Sequence, residues 1–178
     1  MTSSSANQNR CTPRIFVRAG ILLLALLFAD PSGQAVTLID YGSDWKLWRG
    51  RKTPSRPDYW AWTKAAHDDS DWETAQTPVF FGEKVTGGTE LEDMKSRYNS
   101  FFLRRKFHAP NPETVTSMTL RAKVDDGFVA YINGTEVARH NVETAKPKYS
   151  SAASKAASEP LRFRNHALKN PAEFLVNG

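Results

Sequence analysis

Cysteine is almost absent. Cys11 is the only one in 178 residues, and it falls in a leading segment expected to be removed. The rest of the chain then has no thiol, which excludes disulfides, thiolate zinc sites and cysteine nucleophiles; an oxidising compartment is tolerated but not used. Long apolar runs are also missing. The longest, Ala19 to Ala29, has eleven residues and as a helix would span about 16 Å, against about 30 Å for a hydrocarbon core. A spanning helix would have to take in Arg18 or Asp30, each costing a few kcal/mol near the bilayer centre. The charge excess is mild, +5, and no basic run lines a helix, so nucleic acid is not an expected partner. No internal repeat and no long amphipathic helix occur. The four histidines, His67, His108, His140 and His166, form no i, i+4 pair and none stands at nucleophile spacing from a serine. A hydrolytic triad or a zinc site would need four separate loops to converge.

What is present begins with an export signal. Arg10, Arg14 and Arg18 open the chain and no acidic residue precedes Asp30. The apolar run follows. Asp30-Pro31-Ser32 breaks a helix, and Gly33 and Ala35 put small residues where a signal peptidase reads. The expected organisation is a signal peptide over 1–35, cut near Ala35, and one domain over 36–178. Cys11 precedes the apolar run, so it is not placed for lipid attachment. Removal of three arginines and one aspartate lowers the net charge from +5 to +3. The product would be secreted, periplasmic or on the cell surface, with no membrane association after cleavage.

The remaining chain reads as short strands and turns. Val36 to Trp48 alternates loosely, with Leu38, Trp45 and Trp48 inward. Arg49 to Pro57 is a basic surface loop. His67 to Trp72 is a turn capped by short polar side chains. Pro78 to Phe81 is a short apolar run closed by Gly82, and Glu83 to Asn99 is a long loop with little core. Phe101 to Phe107 is a strand. Met118, Leu120, Ala122 and Val124 alternate with Thr119, Arg121 and Lys123, the period of a half-buried strand. Asp125-Asp126-Gly127 turns the chain into a strand over Phe128 to Ile132, Asn133-Gly134 supplies a hairpin turn, and Thr135 to Arg139 pairs back. Ser150 to Ser158 is a loop or a weak helix. Leu161 to Arg164 and Phe174 to Val176 are late strand candidates. This pattern predicts an all-β chain, a β-sandwich or jelly roll.

Four motifs in order carry a resemblance. Trp62, His67-Asp68-Asp69-Ser70-Asp71-Trp72 and Pro78-Val79-Phe80-Phe81-Gly82 resemble a "W…FDDSxW…PLGYG" pattern. Phe102-Leu103-Arg104-Arg105-Lys106-Phe107 resembles "YFRRTF". Val124-Asp125-Asp126-Gly127 and Tyr131 to Arg139 resemble "DDGxVVYLNGxEVxR". Together they resemble the galactose-binding-domain-like jelly roll, the module at the front of family 2 glycoside hydrolases and in large secreted bacterial proteins. His67 departs from the usual aromatic and Phe80 from the usual glycine. Leu175-Val176-Asn177-Gly178 resembles the start of "LxxGxNVLAV", which in the family runs on into a core strand. The resemblance therefore implies a jelly-roll β-sandwich lacking its final strand, non-catalytic, with Trp62 and Trp72 in the core. It also raises an alternative, that the chain is the N-terminal fragment of a larger secreted hydrolase or cell-surface protein with its catalytic part beyond residue 178.

Three sets of residues are weighed for chemistry. Tyr59 and Trp60 lie in or beside the basic loop and are candidates to stack on sugar faces, with Arg51, Lys52 and Arg56 bonding hydroxyls or carboxylates. Packing or docking against an adjacent protein domain is the competing role. Asp68, Asp69 and Asp71, with Glu73, are candidates for a structural calcium ion, although the spacing is not that of an EF-hand and capping of the turn explains them as well. Asp125 and Asp126 are considered as paired acids, but adjacent strand residues point to opposite faces. Arg105 shares the face of Phe101, Leu103 and Phe107 by alternation, and is expected either to reach the sheet edge or to pair with an acidic turn. No other cofactor is expected. The overall expectation is an exported binding or structural module, not an enzyme, whose partner is a glycan or a neighbouring domain.

Overall fold

A computed structural model describes residues 10–11, 13–18, 23–29, 35–109 and 111–175. Among them are strands β1 (Arg10–Cys11), β2 (Pro13–Arg18), β3 (Leu23–Ala29), β4 (Ala35–Ile39), β5 (Asp44–Arg49), β6 (Glu73–Gln76), β7 (Val79–Phe80), β8 (Thr89–Glu90), β9 (Ser100–Arg104), β10 (Phe107–His108), β11 (Ser117–Lys123), β12 (Gly127–Ile132), β13 (Thr135–His140) and β14 (Arg164–Leu168). One short α-helix, α1 (Pro171–Phe174), follows them. The chain is thus all-β among the described residues.

Two antiparallel sheets build the body. One has six strands in the order β13-β12-β2-β9-β5-β6, the other four in the order β14-β11-β3-β4. They share one apolar layer. Leu26, Phe28, Ile39, Met118, Leu120 and Leu168 come from the smaller sheet; Trp45, Leu47, Phe101, Leu103, Phe128 and Ile132 come from the larger. Period-two alternation explains β11 directly: Met118, Leu120 and Ala122 face this core while Ser117 and Arg121 are exposed. Asn133 and Gly134 adopt positive φ, +50° and +89°, and turn β12 into β13.

The larger sheet is covered on its second face too. Phe102, Val129 and Tyr131 pack there beneath Trp62, Trp72 and Val142, with Trp48 and Trp60 alongside. This double cover is why every residue of β9 and β12 is buried, as continuous apolar strands require.

Several expectations are corrected. Leu47, not Trp48, enters the inter-sheet core, because Trp48 lies on the opposite face against Trp72 with ring centroids 5.8 Å apart. The expected strand 101–107 divides into β9 and β10. Arg104, for which alternation predicts no burial, goes inside (0% exposed); with both sheet faces covered, no solvent face is left for it. Arg105 donates from Nη1 to the Asp44 carbonyl. Residues 83–99, expected as a long loop with little core, contain β8, which pairs in parallel with β7, and bury Leu91 and Met94. The late strand is Arg164–Leu168, paired to β11, not 161–164. Phe174 ends a helical turn begun by Pro171, where a proline at the first position is favoured; Val176 lies outside the described residues. Residues 150–158 form a loop.

The segment assigned to the export signal contributes β2 and β3, at interior positions of the two sheets. Residues 19–22 and 30–34, which include much of the break before Ala35, lie outside the described residues.

Truncating a side chain of the shared layer leaves a cavity that close-packed neighbours fill poorly. Leu120→Ala is expected to cost about 2–5 kcal/mol, and Ser117→Ala, on the exposed side of the same strand, to stay within about 0.5 kcal/mol. Urea denaturation of the two variants measures the difference.

Candidate functional site

The basic loop after β5 is fixed by its own polar side chains. Ser55 Oγ donates to the Asp58 carbonyl at 2.8 Å and accepts the Trp62 N–H at 3.3 Å. The Asp58 carboxylate accepts the Trp60 N–H at 2.8 Å and the Lys64 ammonium at 2.9 Å. The lysine bond first, and then the backbone N–H, hold the Asp58 carboxyl below the ordinary range. Thr63 Oγ1 donates to the Trp60 carbonyl at 2.8 Å, closing a single 3₁₀ turn over Ala61–Thr63.

Arg104 ties this loop to the sheet from below. Its Nε meets Asp69 Oδ2 at 2.6 Å, Nη2 reaches the His67 carbonyl at 3.0 Å, and Nη1 donates to the carbonyls of Trp62 and Lys64. The guanidinium also stands 5.8 Å from the centroid of the Trp72 ring. Burial pulls its pKa down and Asp69 opposes that change. A buried cation is tolerated only when its donors are met, and here oxygens of one loop meet them.

A cleft of about 510 Å³ opens above this layer. Trp62 and Phe102 form its floor, their rings edge-on at 5.0 Å. Arg56, Tyr59 and Trp60 make one wall; Lys146 to Ser150 make the other. Tyr59 is half exposed (51%), and the Arg56 guanidinium lies 5.2 Å from its ring centroid. Trp60 leans on Tyr131 at 6.2 Å. The second wall is tied down where Ser100 Oγ donates to the Tyr149 carbonyl. Among the described residues the lining includes three cations, Arg56, Lys146 and Lys148, and no acidic side chain. Such a surface can stack on an apolar ring face and bond oxygens, and it favours negative charge.

Of the four ligand-binding candidates, the structure brings Arg56, Tyr59 and Trp60 to one cleft. Arg51 points elsewhere, onto the Asp93 carboxylate and over the Tyr98 ring at 5.7 Å. The Lys146-Pro147-Lys148-Tyr149 wall escapes sequence reasoning, though its alternation of cations and ring is visible in the sequence. Trp62 and Trp72 are core residues, 2% and 5% exposed.

The calcium candidates are not brought together. Asp69 is taken by Arg104. The Asp68 carboxylate accepts the Ser70 N–H at 2.9 Å, which holds its pKa down, and Asp71 is exposed. Among the described residues no group of three or more His, Cys, Asp or Glu is disposed to hold a metal ion. Asp125 and Asp126 serve a turn: Asp126 has φ +57°, its carbonyl accepts from Asn141 Nδ2 at 2.9 Å, and its carboxylate accepts the Ala157 N–H at 3.2 Å. Burial, and then Asp126, push the Asp125 carboxyl up. His140 and His166, scattered in sequence, meet with ring centroids 6.0 Å apart beside Phe128.

A second cleft, about 570 Å³, holds an ion-pair network that the sequence does not reveal. Arg49 bonds Glu73 at 2.8 and 2.9 Å, Asp93, and the Tyr98 hydroxyl at 3.2 Å; Tyr98 donates to Asp93 at 2.6 Å. Burial would raise the Asp93 carboxyl, but Tyr98, Arg51 and Arg49 outweigh it and hold it down at about 2. Burial, then Asp93, push Tyr98 up to about 12.

No protein-family model, no curated protein and no solved structure matches the chain significantly.

Two outcomes follow from these contacts. Arg104→Met strands Asp69 and three carbonyls, so thermal and urea unfolding should show a loss of about 3–5 kcal/mol, with Arg104→Lys between it and wild type because an ammonium lacks the fork. Asp93 has a lowered pKa, so its contribution is present above pH 3.8 and fades as pH falls towards 2. The stability gap between wild type and Asp93→Asn should therefore shrink by about 1–2 kcal/mol from pH 5 to pH 2, read from unfolding curves along that range.

Proposed function

We propose that this chain is an exported, non-catalytic binding module of the galactose-binding-like jelly-roll kind, and that the cleft between Tyr59 and Tyr149 holds a glycan. The observation that carries the reading is the lining itself: exposed aromatic side chains beside three cations on loops held in place by Ser55, Asp58 and Arg104. Non-catalytic binding fits this cleft because, among the described residues, no carboxylate or histidine lines it to move a proton. The lining cations favour a glycan bearing carboxylates over a neutral one. The arginine-led apolar segment supports export to the periplasm or the cell surface.

A second reading, docking of a neighbouring domain, has its own support. Tyr41 and Phe163 are each 38% exposed and lie 5.0 Å apart, with the Arg121 guanidinium 4.7 Å from the Phe163 ring centroid. Exposed aromatics beside an arginine resemble the anchors of protein interfaces.

Affinity electrophoresis against neutral and uronate-containing polysaccharides tests the first reading. Retardation by the uronate polymer is expected, weakened roughly 5–30-fold by Tyr59→Ala or Arg56→Ala, for losses of about 1–2 kcal/mol, at unchanged Tm. A folded protein that no polysaccharide retards contradicts glycan binding and leaves the docking reading.

A further inference from the structure

Each of the two sheets is held together at its middle by one strand from residues 13–29. In the six-stranded sheet, β2 pairs with β12 from Pro13↔Ile132 to Arg18↔Gly127, and on its other side with β9 from Arg14↔Arg104 to Arg18↔Ser100. In the four-stranded sheet, β3 pairs with β11 from Leu23↔Lys123 to Ala29↔Ser117, and with β4 from Leu26↔Ile39 to Ala29↔Ala35. β12 and β9 are adjacent to β2, not to one another, and β11 and β4 stand in the same relation to β3. Without these residues each sheet falls into two parts around a gap one strand wide.

Both gaps sit over the core. β9 and β12, which flank the first, are buried along their whole length. β3 itself places Leu26 (1% exposed) and Phe28 (5%) in the layer that joins the sheets, with Met118, Leu120 and Ile39. An empty gap would leave facing rows of backbone N–H and C=O groups unpaired next to apolar side chains, each costly when buried, and an open edge ready to pair with another chain.

We propose that β2 (Pro13–Arg18) and β3 (Leu23–Ala29) are retained in the folded protein as central strands of the two sheets, so that the segment with the layout of an export signal is also a structural element. This replaces removal at Ala35 as the fate of the segment, and it does not rest on the glycan reading, which concerns the loops above Phe102. Translocation and folding then use the same residues in succession: extended through the export channel first, paired into the sheets afterwards.

The full chain, expressed in a bacterium with an intact export pathway, provides the test. Intact mass and size-exclusion chromatography of the folded monomer should find residues 13–29 present, in the same chain or as a clipped peptide held one to one. A folded monomer beginning near residue 36 with no peptide attached overturns the proposal. So does a folded product in which a different polypeptide fills the gaps. Leu26→Ala supplies a second reading, because it keeps the segment apolar for export yet empties a core position. The purified variant should melt roughly 5–15 °C lower than wild type. An unchanged Tm would show that Leu26 is not in the fold. Glycan retardation, measured on the same samples, fails or succeeds independently of both outcomes.

Discussion

The Arg104 guanidinium is the constraint from which the outer face of the larger sheet follows. It is fully buried at the end of a central strand, and a charge in that position holds only if oxygen atoms come to it. Those oxygens belong to Trp62, Lys64, His67 and Asp69, all on the loop that carries the aromatic residues of the cleft. One side chain therefore sets the height and orientation of the loop over the sheet. Trp72 completes the enclosure by covering the guanidinium with its ring.

With the loop fixed in this way, the larger sheet becomes an apolar slab covered on both sides. One side meets the smaller sheet through Phe101, Leu103 and Phe128. The other meets the tryptophan layer through Phe102, Val129 and Tyr131. The cleft is the seam where that outer layer ends and the Lys146–Ser150 loop begins. Its polar groups are on loops, and its floor joins Trp62 of the outer layer to Phe102 of the slab, so a rigid scaffold positions the loop side chains. The same slab depends on β2, since Arg14 lies opposite Arg104 in the register. The anchor of the outer layer and the strand that closes the sheet are thus neighbours.

How much of this is legible in the sequence differs by element. β11 and the β12–β13 hairpin are readable because period-two alternation and Asn133-Gly134 are local signals. That Arg56, Tyr59 and Trp60 meet at one cleft is foreshadowed locally, by their closeness in a basic loop that carries prolines. The burial of Arg104 is not, since alternation assumes one solvated face and this sheet has none. Leu91 and Met94 are hidden by polar neighbours, and the Asp93 network by the 44 positions that separate it from Arg49. The apolar run at 19–29 is the most instructive. Its composition suits an export signal and a buried strand equally, because both demand continuous hydrophobicity, and the pairing of its described part, Leu23–Ala29, with β11 and β4 comes from positions that no local signal points to.

Nuclear magnetic resonance of the arginine side chains addresses the central claim most directly. If Arg104 anchors the loop, its Nε–H is a resolved signal, shifted by its bond to Asp69 and protected from solvent exchange far longer than the Nε–H groups of exposed arginines such as Arg51. A rapidly exchanging Arg104 signal, indistinguishable from those of the surface arginines in a folded protein, would contradict that anchoring.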